Sequence, residues 1–173
     1  PEEIAALRAL VRHRVTLIEY RAAHIQHMQK ALQLMNVKLT HVISDITGVT
    51  GMTIMRAIVA GERNPKVLAQ YRDAACKRSQ HEIAKALEGH YKAEHVFVLR
   101  QALELYDFYD QQIQACDGEI ENHYQASKPR DSDGQPPTTA PQPRQRKPRK
   151  GQAHFDLASS LYQMVGVDLT RID

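Results

Sequence analysis

The chain has 173 residues, 23 Lys and Arg against 20 Asp and Glu for a net charge of +3, no Trp, and 6% aromatic residues. That length holds one domain or one domain with an appendage, and the shortage of aromatics argues against a sandwich or barrel. No apolar run reaches the ~18 residues of a membrane span, no charged-then-apolar leader precedes a cleavage site, and Cys76 and Cys116 are too few for a secreted disulfide scaffold. Both cysteines are expected as reduced thiols in a cytosolic protein.

Residues 2–35 carry the clearest pattern. Ile4, Val11, Ile18, Ile25 and Leu32 occupy heptad a positions, while Leu7, Arg14, Arg21, Met28 and Met35 occupy d. The pattern predicts a long helix with a coiled-coil seam, started by Pro1 with Glu2 and Glu3 in its first turn. Arg14 and Arg21 interrupt the seam. A buried guanidinium needs a carboxylate or a water-filled gap, and an antiparallel register placing Ile18 opposite Tyr106 brings Arg14 to Asp110.

Residues 36–80 are expected to form a small helical cap. Within it the sequence predicts a short helix near 40–46 and a turn at Thr47-Gly48-Val49-Thr50-Gly51. A helix over 52–60 follows, ended by Gly61. A further helix has Asn64 as N-cap and Pro65 at its first position. Gly48-x-x-Gly51 is open to two readings: a tight turn, or a phosphate cradle at a helix N-terminus. The loop has none of the lysines a Walker pattern requires.

A second long helix is predicted from about 80 to 125. Leu99, Tyr106, Ile113 and Ile120 stand at a, with Ala102, Tyr109, Cys116 and His123 at d, and Val96, Val98, Leu103, Leu105 and Phe108 widen the apolar band. The two long helices are similar in length, which predicts an antiparallel hairpin. The fold class is therefore all-α: a long antiparallel helical hairpin with a small helical cap at its tip, then a disordered linker and a short helical tail.

The linker is residues 127–153. It holds six of the eight prolines and seven basic residues against Asp131 and Asp133. Such a segment buries too little apolar surface to offset its ordering entropy. It separates a helical body, 1–126, from a tail, 154–173, which is too short for a core of its own. Arg144, Arg146, Lys147, Arg149 and Lys150 fall within seven positions, a run that suits phosphate neutralisation on nucleic acid.

Other chemistry is weaker. His24 and His27 lie one turn apart but lack a nearby carboxylate and a third ligand, so no metal site is expected. Asp107 and Asp110 read as a solvated face in preference to a magnesium pair.

Three stretches together resemble one family: LVRHRVTLIEYRAAHIQHMQK from Leu10 to Lys30, VISDITGVTGMTIMRAIVAGERNP from Val42 to Pro65, and HFDLASSLYQMVGVDLTRID from His154 to Asp173. They look like the middle portion of the DEDD-type insertion-sequence transposases (the "IS one-ten" family). The resemblance implies a bacterial, cytoplasmic DNA recombinase. Its N-terminal RuvC-like nuclease domain binds magnesium through a DEDD set, a helical coiled-coil region follows, and a C-terminal transposase domain carries a catalytic serine. Some members use a structured noncoding RNA. By this resemblance the chain is a fragment: it begins after the nuclease domain, and 154–173 is the truncated start of the C-terminal domain. No position matches the DEDD or serine motifs, so no catalytic residue is assigned, no cofactor is expected in this chain, and magnesium belongs to the missing nuclease domain. The implied role is DNA transposition, with this region serving homo-oligomeric assembly and DNA or RNA backbone contact. Arg144, Arg146, Lys147, Arg149 and Lys150 are the expected contacts, with Arg56, Arg63 and Lys66 from the cap as secondary ones. The alternative is a free-standing helical interaction protein, or a decayed remnant, without nucleic-acid affinity.

Overall fold

The computed structural model describes residues 2–126. The expected disordered linker, the tail and the basic run at 144–150 lie outside the described residues. Among those described there are six α-helices and one 3-10 turn, without a strand: α1 (Glu2–Leu34), α2 (Leu39–Val42), α3 (Val49–Ala60), α4 (Pro65–Leu68) with its 3-10 continuation (Ala69–Tyr71), α5 (Gln80–Ala86) and α6 (Ala93–Ala126). The fold is all-α, as the two heptad patterns require, and no helix is long and apolar enough to cross a membrane. Two compact units divide the chain. One joins the start of α1, up to Ile18, with α6 from Asp110 onward; the other runs from Glu19 to Tyr109.

In the first unit the buried residues are Leu7 and Leu17 of α1, with Ile113, Cys116, Ile120 and Tyr124 of α6. Arg14 and Asp117 are buried among them, at 7% and 4% exposure. The Arg14 Nε donates to one Asp117 carboxylate oxygen and Nη2 to the other at 3.3 Å. Asp117 is a partner for Arg14 that heptad spacing alone does not single out. Cys116 Sγ lies 3.5 Å from the Leu10 carbonyl. Burial, and then the Asp117 charge, push its thiol pKa up, which suits a packed and unreactive side chain.

Gly118 sits inside α6, and a Cβ there meets nothing within 4 Å. Gly118→Ala is therefore expected to stabilise the protein by about 1 kcal/mol through helix propensity alone. Thermal unfolding checks this, with a midpoint raised by a few degrees.

In the second unit α1 and α6 run antiparallel. The Arg21 guanidinium lies 5.5 Å from the Tyr106 ring centroid, and the His90 N–H, just before α6, donates to the Met35 carbonyl at 2.7 Å. The core joins Met28, Leu32 and Met35 to Ile54, Met55 and Ile58 of α3, Leu68 of α4, Ile83 of α5, and Leu99 and Tyr106 of α6.

Local sequence sets the ends of the short helices. Gly61 closes α3 at φ 111°, its N–H returning to the Ala57 and Ile58 carbonyls. Asn64 caps α4 by accepting from the Lys66 N–H at 3.0 Å, with Pro65 at the first helical position. Ser79 and Glu82 form a capping box at α5.

Four expectations change here. The second long helix does not start near 80: the chain breaks between α5 and α6. The Lys38 N–H donates to the Ala86 carbonyl at 2.8 Å, and Gly89 passes so close to α1 that a Cβ would stand 2.5 Å from the Met35 oxygen. The helix expected over 52–60 begins earlier, at Val49, and the one near 40–46 stops at Val42. Of the residues expected to widen the apolar band, Val96 and Leu103 are buried, while Val98, Leu105 and Phe108 stay 44%, 44% and 50% exposed.

Candidate nucleic-acid interface

The segment between the two long helices concentrates positive charge. Residues 35–92 carry nine Lys and Arg against five Asp and Glu. Most of the arginines are held. Arg56 donates through Nη2 to both Asp107 oxygens, at 2.8 and 3.1 Å, across an exposed pair. Arg63 donates to the Ile58 and Glu62 carbonyls and lies 5.3 Å from the Tyr91 ring centroid. It thus satisfies orphan acceptors at the end of α3. Burial pushes the Tyr91 phenol up to about 12, and its hydroxyl donates to the Leu87 carbonyl. Arg72 donates to the Cys76 and Arg78 carbonyls, each at 2.6 Å. Arg78 pairs with Glu82 at 3.2 Å, and hydrogen bonds from Ser79 hold the Glu82 carboxyl below its usual range.

The lysines differ. Lys66 and Lys85 are exposed, and neither has an ion-pair partner among the described residues. Both line a groove of about 740 Å3 between α4 with its 3-10 continuation and α5. Gln70, Gln80, His81 and Glu88 share the lining, and the small Ala69 and Ala84 keep it open.

Of the expected contacts in the cap, then, Lys66 has an unengaged charge, whereas Arg56 and Arg63 are committed to intramolecular partners. Sequence reading missed Lys85 and His81. Their spacing of four on one short helix was the available signal, but only folding brings that helix beside Lys66.

The Gly48 to Gly51 loop has a packing explanation. A Cβ at Gly51 would fall 2.1 Å from the Ile46 carbonyl oxygen. Asp45 Oδ1 accepts from the Thr47 N–H and hydroxyl at 2.8 and 2.6 Å, and Thr50 Oγ1 accepts from the Asp73 N–H at 3.0 Å.

No group of three or more His, Cys, Asp or Glu side chains suited to a metal occurs among the described residues. His24 and His27 meet edge to face at 5.5 Å, and His24 stacks on Tyr109 at 5.4 Å. Asp107 is taken by Arg56, and Asp110 accepts from Gln114 Nε2 at 3.1 Å.

Desolvation, and then the neighbouring His27, hold the His24 pKa below its ordinary 6.5. Protons therefore favour the unfolded chain. The stabilisation from neutral His24 is complete above pH 6.5 and is lost as the pH falls through the depressed folded value. Denaturant midpoints measured from pH 7.5 to 5 are expected to drop, and His24→Phe should flatten that slope.

No family model, curated protein or solved structure matches the chain.

Proposed function

We propose that this chain is the helical middle region of a DEDD-type insertion-sequence transposase. It serves subunit assembly and contacts the backbone of DNA or RNA during transposition. The observation that carries this reading is the concentration of cations between the long helices, nine against five carboxylates, with Lys66 and Lys85 exposed and not engaged in ion pairs. The basic run Arg144, Arg146, Lys147, Arg149 and Lys150 adds a second sequence-independent contact. The three stretches quoted above supply the family. Chemistry of strand cleavage, with magnesium, belongs on this reading to the nuclease and serine domains and not to residues of this chain.

Anisotropy of labelled structured RNA and duplex DNA across a salt series tests it. Binding that weakens steeply with salt, with a shallower slope when the five residues of 144–150 are changed to Ala, is the expected result. Absence of binding at low salt overturns it and favours a helical interaction protein. Phe97, Val98, Leu105 and Phe108, each 44–54% exposed on α6, are the observation on that second side.

A further inference from the structure

We propose that the groove between α4, its 3-10 continuation and α5 is a phosphate-binding site, and that a backbone phosphate of a bound polynucleotide occupies it. The assignment to a polynucleotide rests on the proposed function; the anion chemistry rests on the groove itself.

A volume of about 740 Å3 falls in the range of small-ligand sites and exceeds what one phosphate needs, leaving room for the attached sugar. Lys66 comes from α4 and Lys85 from α5, so the two ammonium groups belong to different elements. Neither has an ion-pair partner among the described residues, in contrast to Arg56 and Arg78, which pair with Asp107 and Glu82. His81 adds a ring donor, and the amides of Gln70 and Gln80 add neutral donors and acceptors for ribose or base edges. Glu88 is the one carboxylate lining this groove. It opposes an anion and limits affinity, which makes it a diagnostic residue: neutralising it strengthens an anion site and weakens a cation site.

The test uses the whole chain and five variants: Lys66→Ala with Lys85→Ala, the same pair changed to Arg, Glu88→Gln, the five-residue 144–150 Ala variant, and that variant combined with the double Ala change. Salt-dependent anisotropy with structured RNA and duplex DNA is read beside NMR titrations with inorganic phosphate and with a nucleoside monophosphate. The double Ala change should lower the duplex salt slope by about 0.9, the value for one phosphate contact. The Arg pair should restore it, and Glu88→Gln should tighten binding.

Polynucleotide binding with a slope unchanged by the double Ala change and by Glu88→Gln overturns the groove while leaving the proposed function standing. Phosphate or nucleotide shifts that vanish in the double Ala variant, without polynucleotide binding by the unaltered chain, uphold the anion site and overturn the proposed function. Silence in both arms overturns both.

Discussion

Gly51→Ala should unfold or severely weaken the second unit. The substitution is ordinarily favourable inside a helix, by about 1 kcal/mol, and α3 is an ordinary helix of 12 residues. Here the added carbon would meet the Ile46 oxygen at 2.1 Å, its carbonyl carbon at 2.6 Å and its Cα at 2.7 Å. All three are backbone atoms, so no rotamer change relieves the overlap. The chain on either side is constrained as well: Ile46 is buried and Thr47 is tied to Asp45, while Thr50 is tied to Asp73. A cost of about 3 kcal/mol or more is expected, at the top of the usual range for overpacking. The thermal midpoint should fall by roughly 10–20 °C for a unit of this size. Gly118→Ala is the matched control, with the same chemical change in open space and the opposite expected sign. A Gly51→Ala protein with an unaltered melting curve would contradict the close approach.

Asp117→Ala should be the most damaging change in the first unit. It strips the Arg14 guanidinium, in a site 7% exposed, of the Asp117 carboxylate. Removing one side of a buried pair costs about 3–5 kcal/mol. Replacing both partners by apolar residues of similar volume, Arg14→Met with Asp117→Leu, should recover most of that loss, because the desolvation cost of both charges disappears together. Chemical denaturation of the two variants checks this. A double variant as unstable as the single one would mean that the pair contributes attraction well beyond its desolvation cost.

The long helices were legible because heptad spacing reports a continuous apolar stripe. Leu7, Met28, Leu32 and Met35 on α1, and Leu99, Tyr106, Ile113 and Ile120 on α6, are all buried as the pattern implies. The caps at Gly61 and Asn64 were legible because they depend on one or two residues acting locally. The Arg14–Asp117 pair was not, because heptad spacing marks apolar positions and does not say which carboxylate a buried arginine meets.

The break at Gly89 was hidden for a related reason. A glycine inside a helical pattern reads as a weak spot, and its purpose, admitting the Met35 carbonyl, is visible only when a residue more than fifty positions away is alongside. The groove lay beyond reach in the same way. Lys66 and Lys85 belong to separate short helices, and no local spacing relates them.

The brevity of those helices has its own consequence. Isolated helices under about 12–15 residues are marginal in water, yet α2 and α4 have four residues each and α5 has seven. None of them persists alone; their buried residues Leu39, Leu68 and Ile83 share one core with Met35, Ile54 and Met55. The segment between the long helices should therefore open as one cooperative block. Amide protons of α2, α4 and α5 would then exchange with solvent at a common free energy, and the groove between α4 and α5 would form and vanish as a unit and not by degrees.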